Sequence, residues 1–327
     1  MNLDKFLGCI YGVTIGDRLG APAEKMTACE IRSHFDRICD FTHGDEPTDD
    51  SQLTFVTMDA FIESGGAFEM DKIAAAHVRA YEDPWRGWGR STRKACGQLA
   101  RNVHWSKSGQ ADGAGNGVIM KISPLALWQS VQDEDLPDFL HKCVVFGKMT
   151  HMGTPALVGG AVHAVALATL LEKKDSFVHV PTFLSFLRGI ALELEEELLP
   201  WDDKISSQLA NISDYIDYGT GGRLKRHTLD EIAHLFGGGG SYAYYSFGLS
   251  YAIWARSMLN AENPSPFDGV LEAVNAGGDT DTNASIVGSL VGALHGMNAI
   301  PQDLVAHIDG DRALYNRIKK FYEACAG

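Results

Sequence analysis

Two short acidic stretches near opposite ends of the chain, each running straight into an apolar periodic segment, constrain this sequence more than anything else in it. The first is Thr48-Asp49-Asp50-Ser51 and the second is Gly277-Gly278-Asp279-Thr280-Asp281-Thr282. After the first, Leu53, Val56, Ala60 and Ser64 share one helical face. After the second, Val287, Leu290, Val291 and Leu294 recur at the same period within Ala284–Gly296. One Asp or Thr before an apolar helix is an ordinary N-cap, welcome at the positive end of the dipole. Capping does not account for both Asp49 and Asp50, because adjacent carboxylates in a low dielectric repel by several kcal/mol unless a cation sits between them. Asp279 and Asp281 lie two apart, so an extended lead-in sends both side chains from the same side of the backbone. Carboxylates and threonine hydroxyls with no cysteine or histidine in either cluster suit magnesium or manganese better than zinc. For both clusters to build one site, the N- and C-terminal segments must pack together. A chain of 327 residues, long enough for about two domains, is therefore expected to form a single interleaved domain over 1–327.

The rest of the chain reads as helix. Leu3–Ile15 carries Gly8 and Gly12, and with Gly16 they fall on one face, where a missing side chain lets a second backbone come close. Gly16 to Pro22 is expected to break that helix and leave Glu24 in a loop. Asp71–Tyr81, Ser91–Val103, Leu136–Met149, Pro155–Leu171 and Ser241–Leu259 follow helical spacing, and Glu193–Leu199 reads as a solvated acidic face. Pro200–Arg226 is mixed and unassigned. Sustained alternation is missing, so the expected class is all-α, an orthogonal helical bundle. Three turn-rich stretches stay open. Asp83–Arg90 either lines a cleft or covers the core. Gly109–Gly117 either presents N–H groups to a phosphate or is a linker. Gly237–Gly240, followed by Tyr242, Tyr244, Tyr245, Phe247, Tyr251 and Trp254, either holds a purine ring or packs into the core.

Charge and motif content exclude several classes. A formal net charge of −14 disfavours non-specific nucleic-acid binding and anionic membranes. Six scattered cysteines without a Cys-x-x-Cys pair read as thiols of a reducing compartment. No basic-then-apolar leader is evident and no apolar run is read as a membrane span, so a soluble cytoplasmic protein is expected. The twelve histidines form no His-Glu-x-x-His, and there is no Gly-x-Ser-x-Gly elbow.

Taken in order, Gly16-Asp17-Arg18-Leu19-Gly20-Ala21-Pro22-Ala23-Glu24, Thr48-Asp49-Asp50-Ser51, Gly115-Asn116-Gly117, Thr150-His151 and Gly277-Gly278-Asp279-Thr280-Asp281-Thr282 resemble the ADP-ribosylglycohydrolase family. The resemblance implies an all-α fold with a central cleft holding two magnesium or manganese ions. It implies Thr48, Asp49, Asp50, Asp279, Asp281 and Thr282 as metal ligands. Glu24 falls where the family has a mobile glutamate over the metals. Gly115, Asn116 and Gly117 would border a diphosphate, His151 would face the ADP-ribose, and Gly238 and Tyr242 would flank the adenosine. Arg18, in place of a small residue, is expected to narrow the entrance or make it more basic. Ser51 replaces a common threonine, and Lys121 replaces a frequent arginine, keeping charge but losing a bidentate fork. Vicinal ribose hydroxyls chelate paired cations, so the implied activity is hydrolysis of the bond joining ADP-ribose to its acceptor, with Asp50 or Asp281 taking a proton from water. The implied partner is an ADP-ribosylated protein, arginine-linked first, and the enzyme is expected to act as a monomer. Other readings are an acylated or nucleotide-linked small ADP-ribose conjugate as substrate, and a non-enzymatic ADP-ribose binder.

Overall fold

A computed structural model describes residues 3–174, 177–216, 227–259, 265–308 and 312–327; the polar stretch 217–226, within the unassigned segment above, lies outside them. Among the described residues the regular elements are helices, in the order α1 (Leu3–Gly20), α2 (Ala28–Phe35), α3 (Asp49–Glu63), α4 (Met70–Glu82), α5 (Arg90–Leu99), α6 (Ser123–Gln129), α7 (Leu136–Lys148), α8 (Thr154–Glu172), α9 (Val180–Glu197), α10 (Ile205–Tyr215), α11 (Leu229–Leu235), α12 (Ala243–Leu259), α13 (Asp268–Asn275), α14 (Thr280–His295), α15 (Gln302–Ile308) and α16 (Ala313–Ala326). The fold is all-α. Strand-like contact is limited to isolated bridges such as Thr27 with Gly277 and Gly115 with Tyr242.

The centre of the molecule is an antiparallel pair, α1 against α14, packed backbone to backbone. A methyl group on Gly12 would sit 2.1 Å from the Gly288 carbonyl oxygen, one on Gly16 2.4 Å from that of Ala284, and one on Gly20 2.4 Å from the Asp281 nitrogen. From the other side, one on Gly292 would sit 1.9 Å from the Gly8 oxygen. This seam corrects the expected helix end. α1 continues through Gly16 to Gly20, and the chain leaves it only in the short 3-10 turn Ala21–Ala23, where Pro22 falls. Each glycine in a helix costs about 1 kcal/mol relative to alanine, but here the absent side chain is what allows the contact. The seam brings sequence ends together, since the last glycine of α1 touches the first turn of α14.

Three further expectations change. Asp281 is not in an extended lead-in: it lies inside the first turn of α14, with Asp279 in the N-cap position. On α3 the apolar face is broader than spacing suggested, because Leu53, Phe55, Met58, Ala60 and Phe61 are all buried while Val56 is only half-buried. α3 is enclosed by α4, α16 and the 3-10 turn Ile119–Lys121, so it is buried nearly all round. α8 is long and apolar enough to cross a bilayer by length and composition, with a mean hydropathy of 1.7, yet 94% of it is buried inside the protein, as a core helix is.

Candidate active site

The first acidic cluster caps α3. Thr48 is the N-cap, and Asp49 and Asp50 fill the first turn, where free N–H groups and the dipole favour negative charge. What holds this turn is a residue that the sequence reading passed over. Asp17, fully buried near the end of α1, accepts from the Thr48 backbone N–H at 3.0 Å, the Thr48 hydroxyl at 2.7 Å, the Ser51 N–H at 3.1 Å and the Ser51 hydroxyl at 2.5 Å. The usable signal is an acidic residue, Asp17, between Ile15 and Leu19, past the long apolar run that follows Lys5. Ser51 is therefore committed to Asp17, and so is the proton of Thr48, whose oxygen also accepts from the Asp50 N–H at 3.3 Å. The Asp83–Arg90 stretch lines the cleft. Gln52 accepts from Trp85 N–H at 2.9 Å and from the Trp88 indole at 2.7 Å, and donates to the Asp83 carbonyl at 2.8 Å. So fixed, the loop passes over Asp49, and a methyl on Gly87 would lie 2.1 Å from Asp49 Oδ1.

The second cluster caps α14 and is held mostly by main chain. Gly277 and Gly278 both have positive φ, +85° and +84°, which lets the chain turn sharply from α13 into α14. Lys25 N–H donates to the Gly278 carbonyl at 2.7 Å and Gly278 N–H to the Met26 carbonyl at 2.8 Å, tying the Glu24 loop to this turn. Asp279 N–H donates to the Gly239 carbonyl at 2.9 Å, and the Asn116 amide donates to Asp279 Oδ2 at 2.7 Å. Thr280 donates to the Gly20 carbonyl at 2.7 Å, and Thr282 donates to Asp50 Oδ2 at 3.1 Å, directly joining the two clusters.

Between them lies a cavity of about 620 Å³. Glu24, Asp49, Asp50, Asp279, Asp281 and Thr282 line one part of it, and Gly115, Asn116, Gly117 and His151 another. Thr48 sits one layer behind. Gly238 and Tyr242 are not on the wall; Gly240 and Ser241 are. Gly238 instead backs Gly278, and the Tyr242 hydroxyl accepts from the Trp201 indole and donates to Asp203, both at 2.9 Å. The aromatics after the glycine turn divide: Phe247, Tyr251 and Trp254 are core, whereas Tyr242, Tyr244 and Tyr245 cluster at its edge. The Gly109–Gly117 loop is anchored to the second glycine turn, with Asn116 N–H donating to the Ser241 carbonyl at 2.9 Å and Ala243 N–H to that of Ala114 at 3.0 Å. Arg18 does not reach the cavity. It donates to the Asp45 carbonyl at 2.8 Å, outside the site, which removes the expected effect on the entrance.

Burial, joined by mutual repulsion, pushes the Asp49 carboxyl up to about 8, and raises Asp50 and Asp281 well above the usual range for the same reasons. Asp279 and Asp17 are raised too, chiefly by burial. One oxygen of Asp50, Oδ1, is buried with no hydrogen-bond partner. Carboxylate oxygens of Glu24, Asp279 and Asp281 come within 4.8 Å of one another. The cations at this end are engaged by Glu24, which pairs with Lys25 at 2.8 Å and Arg86 at 3.5 Å. An acidic group so buried, with an orphaned oxygen and with no cation in a salt bridge to Asp49, Asp50, Asp279 or Asp281 among the described residues, fits hard divalent cations through an all-oxygen donor set.

Comparison with known proteins agrees with this geometry. The family model described as ADP-ribosylglycohydrolase matches residues 1–327. The chain is 27% identical to human ADP-ribosylhydrolase ARH3 over 94% of this chain and 90% of that protein. It is 26% identical to ADP-ribosylarginine hydrolase Tri1 of Pseudomonas putida over 94% of this chain and 74% of that protein. Among solved structures, an ADP-ribosylglycohydrolase-related protein complex superposes with a TM-score of 0.68 at 23% identity, covering 99% of this chain and 97% of that one, which establishes the shared fold.

Proposed function

The chain belongs to the ADP-ribosylglycohydrolase family and is an ADP-ribosyl glycohydrolase; from that premise we propose that it releases ADP-ribose from a modified protein side chain, arginine first, in a reaction that requires divalent cations. The observation that carries the reading is the orphaned Asp50 Oδ1 in a wall shared by both acidic clusters. Asp49, Asp50, Asp279, Asp281 and Thr282 on the wall, and Thr48 behind them through the one lone pair its hydroxyl has left, are the proposed ligands of two magnesium or manganese ions. When bound, such ions neutralise the carboxylates and act as Lewis acids toward sugar and water oxygens.

The protein's own groups do the rest. The Gly115–Gly117 loop and His151 hold the diphosphate end and fix the ribose over the carboxylates, which converts an encounter into a positioned reaction. Water attacks C1″ as the bond from C1″ to the acceptor nitrogen or oxygen breaks, through an oxocarbenium-like state. Asp50 takes a proton from that water, with Asp281 the other candidate, and that proton ends on the acceptor atom as it leaves, which restores the carboxylate. Glu24, tethered through Lys25 to the Gly277–Gly278 turn, stands over the carboxylates as a cover. Arginine is named first because Tri1 carries that acceptor in its name. We further propose that the chain acts as one domain, as a monomer, in the cytoplasm, the last in keeping with free thiols at all six cysteines.

The test is release of ADP-ribose from arginine-, serine-, nucleic-acid- and acetyl-linked conjugates, with magnesium or manganese and with chelator. Chelator-sensitive release from the arginine conjugate is the expected result. Release that chelator leaves untouched would sink the metal assignment, and release only from another conjugate would replace the acceptor. Asp50→Ala should lower turnover by about 10²–10⁴-fold; full activity in that variant refutes the site.

A further inference from the structure

Behind the His151 side of the cavity lies a fully buried amine, Lys121, in the 3-10 turn that follows the Gly115–Gly117 loop. Its Nζ donates to the Thr150 hydroxyl at 3.2 Å and lies 5.5 Å from the centre of the Phe146 ring. A lysine fully buried away from a carboxylate partner is costly, so what it touches matters. We propose that Lys121, acting through Thr150, holds His151 in the neutral tautomer that carries its proton on Nε2, and so sets one fixed hydrogen-bond donor in the cavity wall for an anionic oxygen of the substrate. The identity of that oxygen, a diphosphate oxygen of ADP-ribose, rests on the function proposed above; the tautomer does not.

The proton count decides the direction. A threonine hydroxyl has one proton to give and two lone pairs to fill. Two acceptors are near Thr150 Oγ1: the Gly147 carbonyl at 3.5 Å and His151 Nδ1 at 2.9 Å. The Gly147 oxygen is already crowded by backbone N–H groups, among them Thr150 at 3.0 Å and His151 at 2.9 Å, and at 3.5 Å it is much the farther acceptor for the hydroxyl. The hydroxyl proton therefore points to Nδ1, while the Lys121 ammonium, which can only donate, occupies the oxygen from behind. With Nδ1 an acceptor, a neutral imidazole must carry its proton on Nε2. Burial, with the Lys121 charge beside it, pushes the His151 pKa down to about 3, so the ring stays neutral at working pH. Nε2 faces the glycine loop: a methyl on Gly117 would lie 3.3 Å from it and one on Gly115 3.7 Å. An oxygen resting on that loop thus meets an N–H and not a lone pair. Lys121 is a positioning residue in this scheme, and the charge it shares with the expected arginine is the part that the relay uses.

The measurement is a long-range proton–nitrogen correlation spectrum of the full chain labelled with ¹⁵N-histidine, without ligand at neutral pH, with His151 assigned by its loss in His151→Gln. Protonated Nε2 with bare Nδ1 is expected; protonated Nδ1 in the wild type overturns the proposal. In Lys121→Met the Nδ1-protonated form should gain population, and ADP-ribose should bind about tenfold more weakly. Lys121→Arg, which keeps a donor, should restore the Nε2 form. A folded Lys121→Met with unchanged tautomer and unchanged ADP-ribose binding also overturns it. Should that variant not fold, Thr150→Val removes the same relay and must give the same tautomer change, with Thr150→Ser retaining the wild-type form. If ADP-ribose fails to bind the wild type, the proposed substrate falls, while the spectrum still decides the relay.

Discussion

The starts of α3 and α14 each carry a pair of carboxylates that line the cavity, yet the protein holds them by different means. The start of α3 is fixed by one side chain, Asp17, whose carboxylate gathers four donors from Thr48 and Ser51. The start of α14 is fixed mainly by main chain, through the pairing of Gly278 with Lys25 and Met26 and of Asp279 with Gly239, with neutral side chains, Asn116 and Thr280, adding one bond each. The contrast shows how a chain can converge two charged turns without leaving either to the cation alone. A side-chain clamp places a buried charge beside the site and raises its electrostatic cost. A main-chain clamp adds no charge but demands glycine. Putting one of each at the site limits how much negative charge is buried there.

The largest effect should come from removing the cations, which loads both starts at once. Burial raises the carboxyl pKa values in the folded chain, Asp49 to about 8. The folded state then keeps protons that the unfolded chain gives up above about pH 4. Without cations, stability should therefore be greatest at low pH and fall as pH rises from about 4 through about 8. Magnesium or manganese should flatten that decline by binding the charged folded form. Melting curves across this range with and without chelator test it; a chelated protein that gains stability toward pH 8 would contradict the reading. Gly278→Ala comes next and breaks the main-chain clamp. Its φ of +84° disfavours a side chain, and the new methyl would sit 2.1 Å from the Gly238 oxygen. A loss of about 3 kcal/mol is expected by denaturant titration.

Asp17→Asn breaks the other clamp and separates its two roles. The amide has one acceptor oxygen and turns a donor toward the Thr48 and Ser51 donors, so about 2–3 kcal/mol should be lost where cations are bound. The same change removes a buried negative charge, which relieves repulsion in the cation-free protein. The loss measured in chelator should therefore be smaller than the loss in magnesium, and cation affinity should drop about 10–100-fold. Equal losses in both conditions would reduce Asp17 to an ordinary cap.

Much of this comparison was legible in the sequence, and what was not has a physical reason. Two doubled acidic caps leading into apolar helices pointed to a shared site, and Thr282 meeting Asp50 joins them as that required. The helical class was legible because period and punctuation agree along most of the chain. The run of α1 through Gly16 to Gly20 was not, because local propensity reads glycine as a breaker while the seam with α14 is a long-range fact. For the same reason Asp281 was read as extended when it is helical. Asp17 escaped notice because its four partners lie on another helix start, and spacing carries no record of them. Gly238 and Tyr242 lie next to the site in sequence, but the turn presents residues between them, Gly240 and Ser241, to the cavity instead.

The smallest expected effect tests the joint between seam and site. Thr280 donates its hydroxyl to the Gly20 carbonyl at 2.7 Å, where the last close contact of α1 meets the first turn of α14. Thr280→Val keeps the shape and removes the donor, leaving a buried carbonyl short of one partner, a loss of about 1 kcal/mol. If the seam already fixes the register of α14 through Gly12 and Gly16, turnover should change little and the loss should appear in stability alone. A large fall in kcat with only this small loss of stability would mean that the hydroxyl, not the glycine contact, sets where Asp279 and Asp281 stand. The main-chain clamp would then depend on a side chain after all, and the two helix starts would be held more alike than their hydrogen bonds suggest.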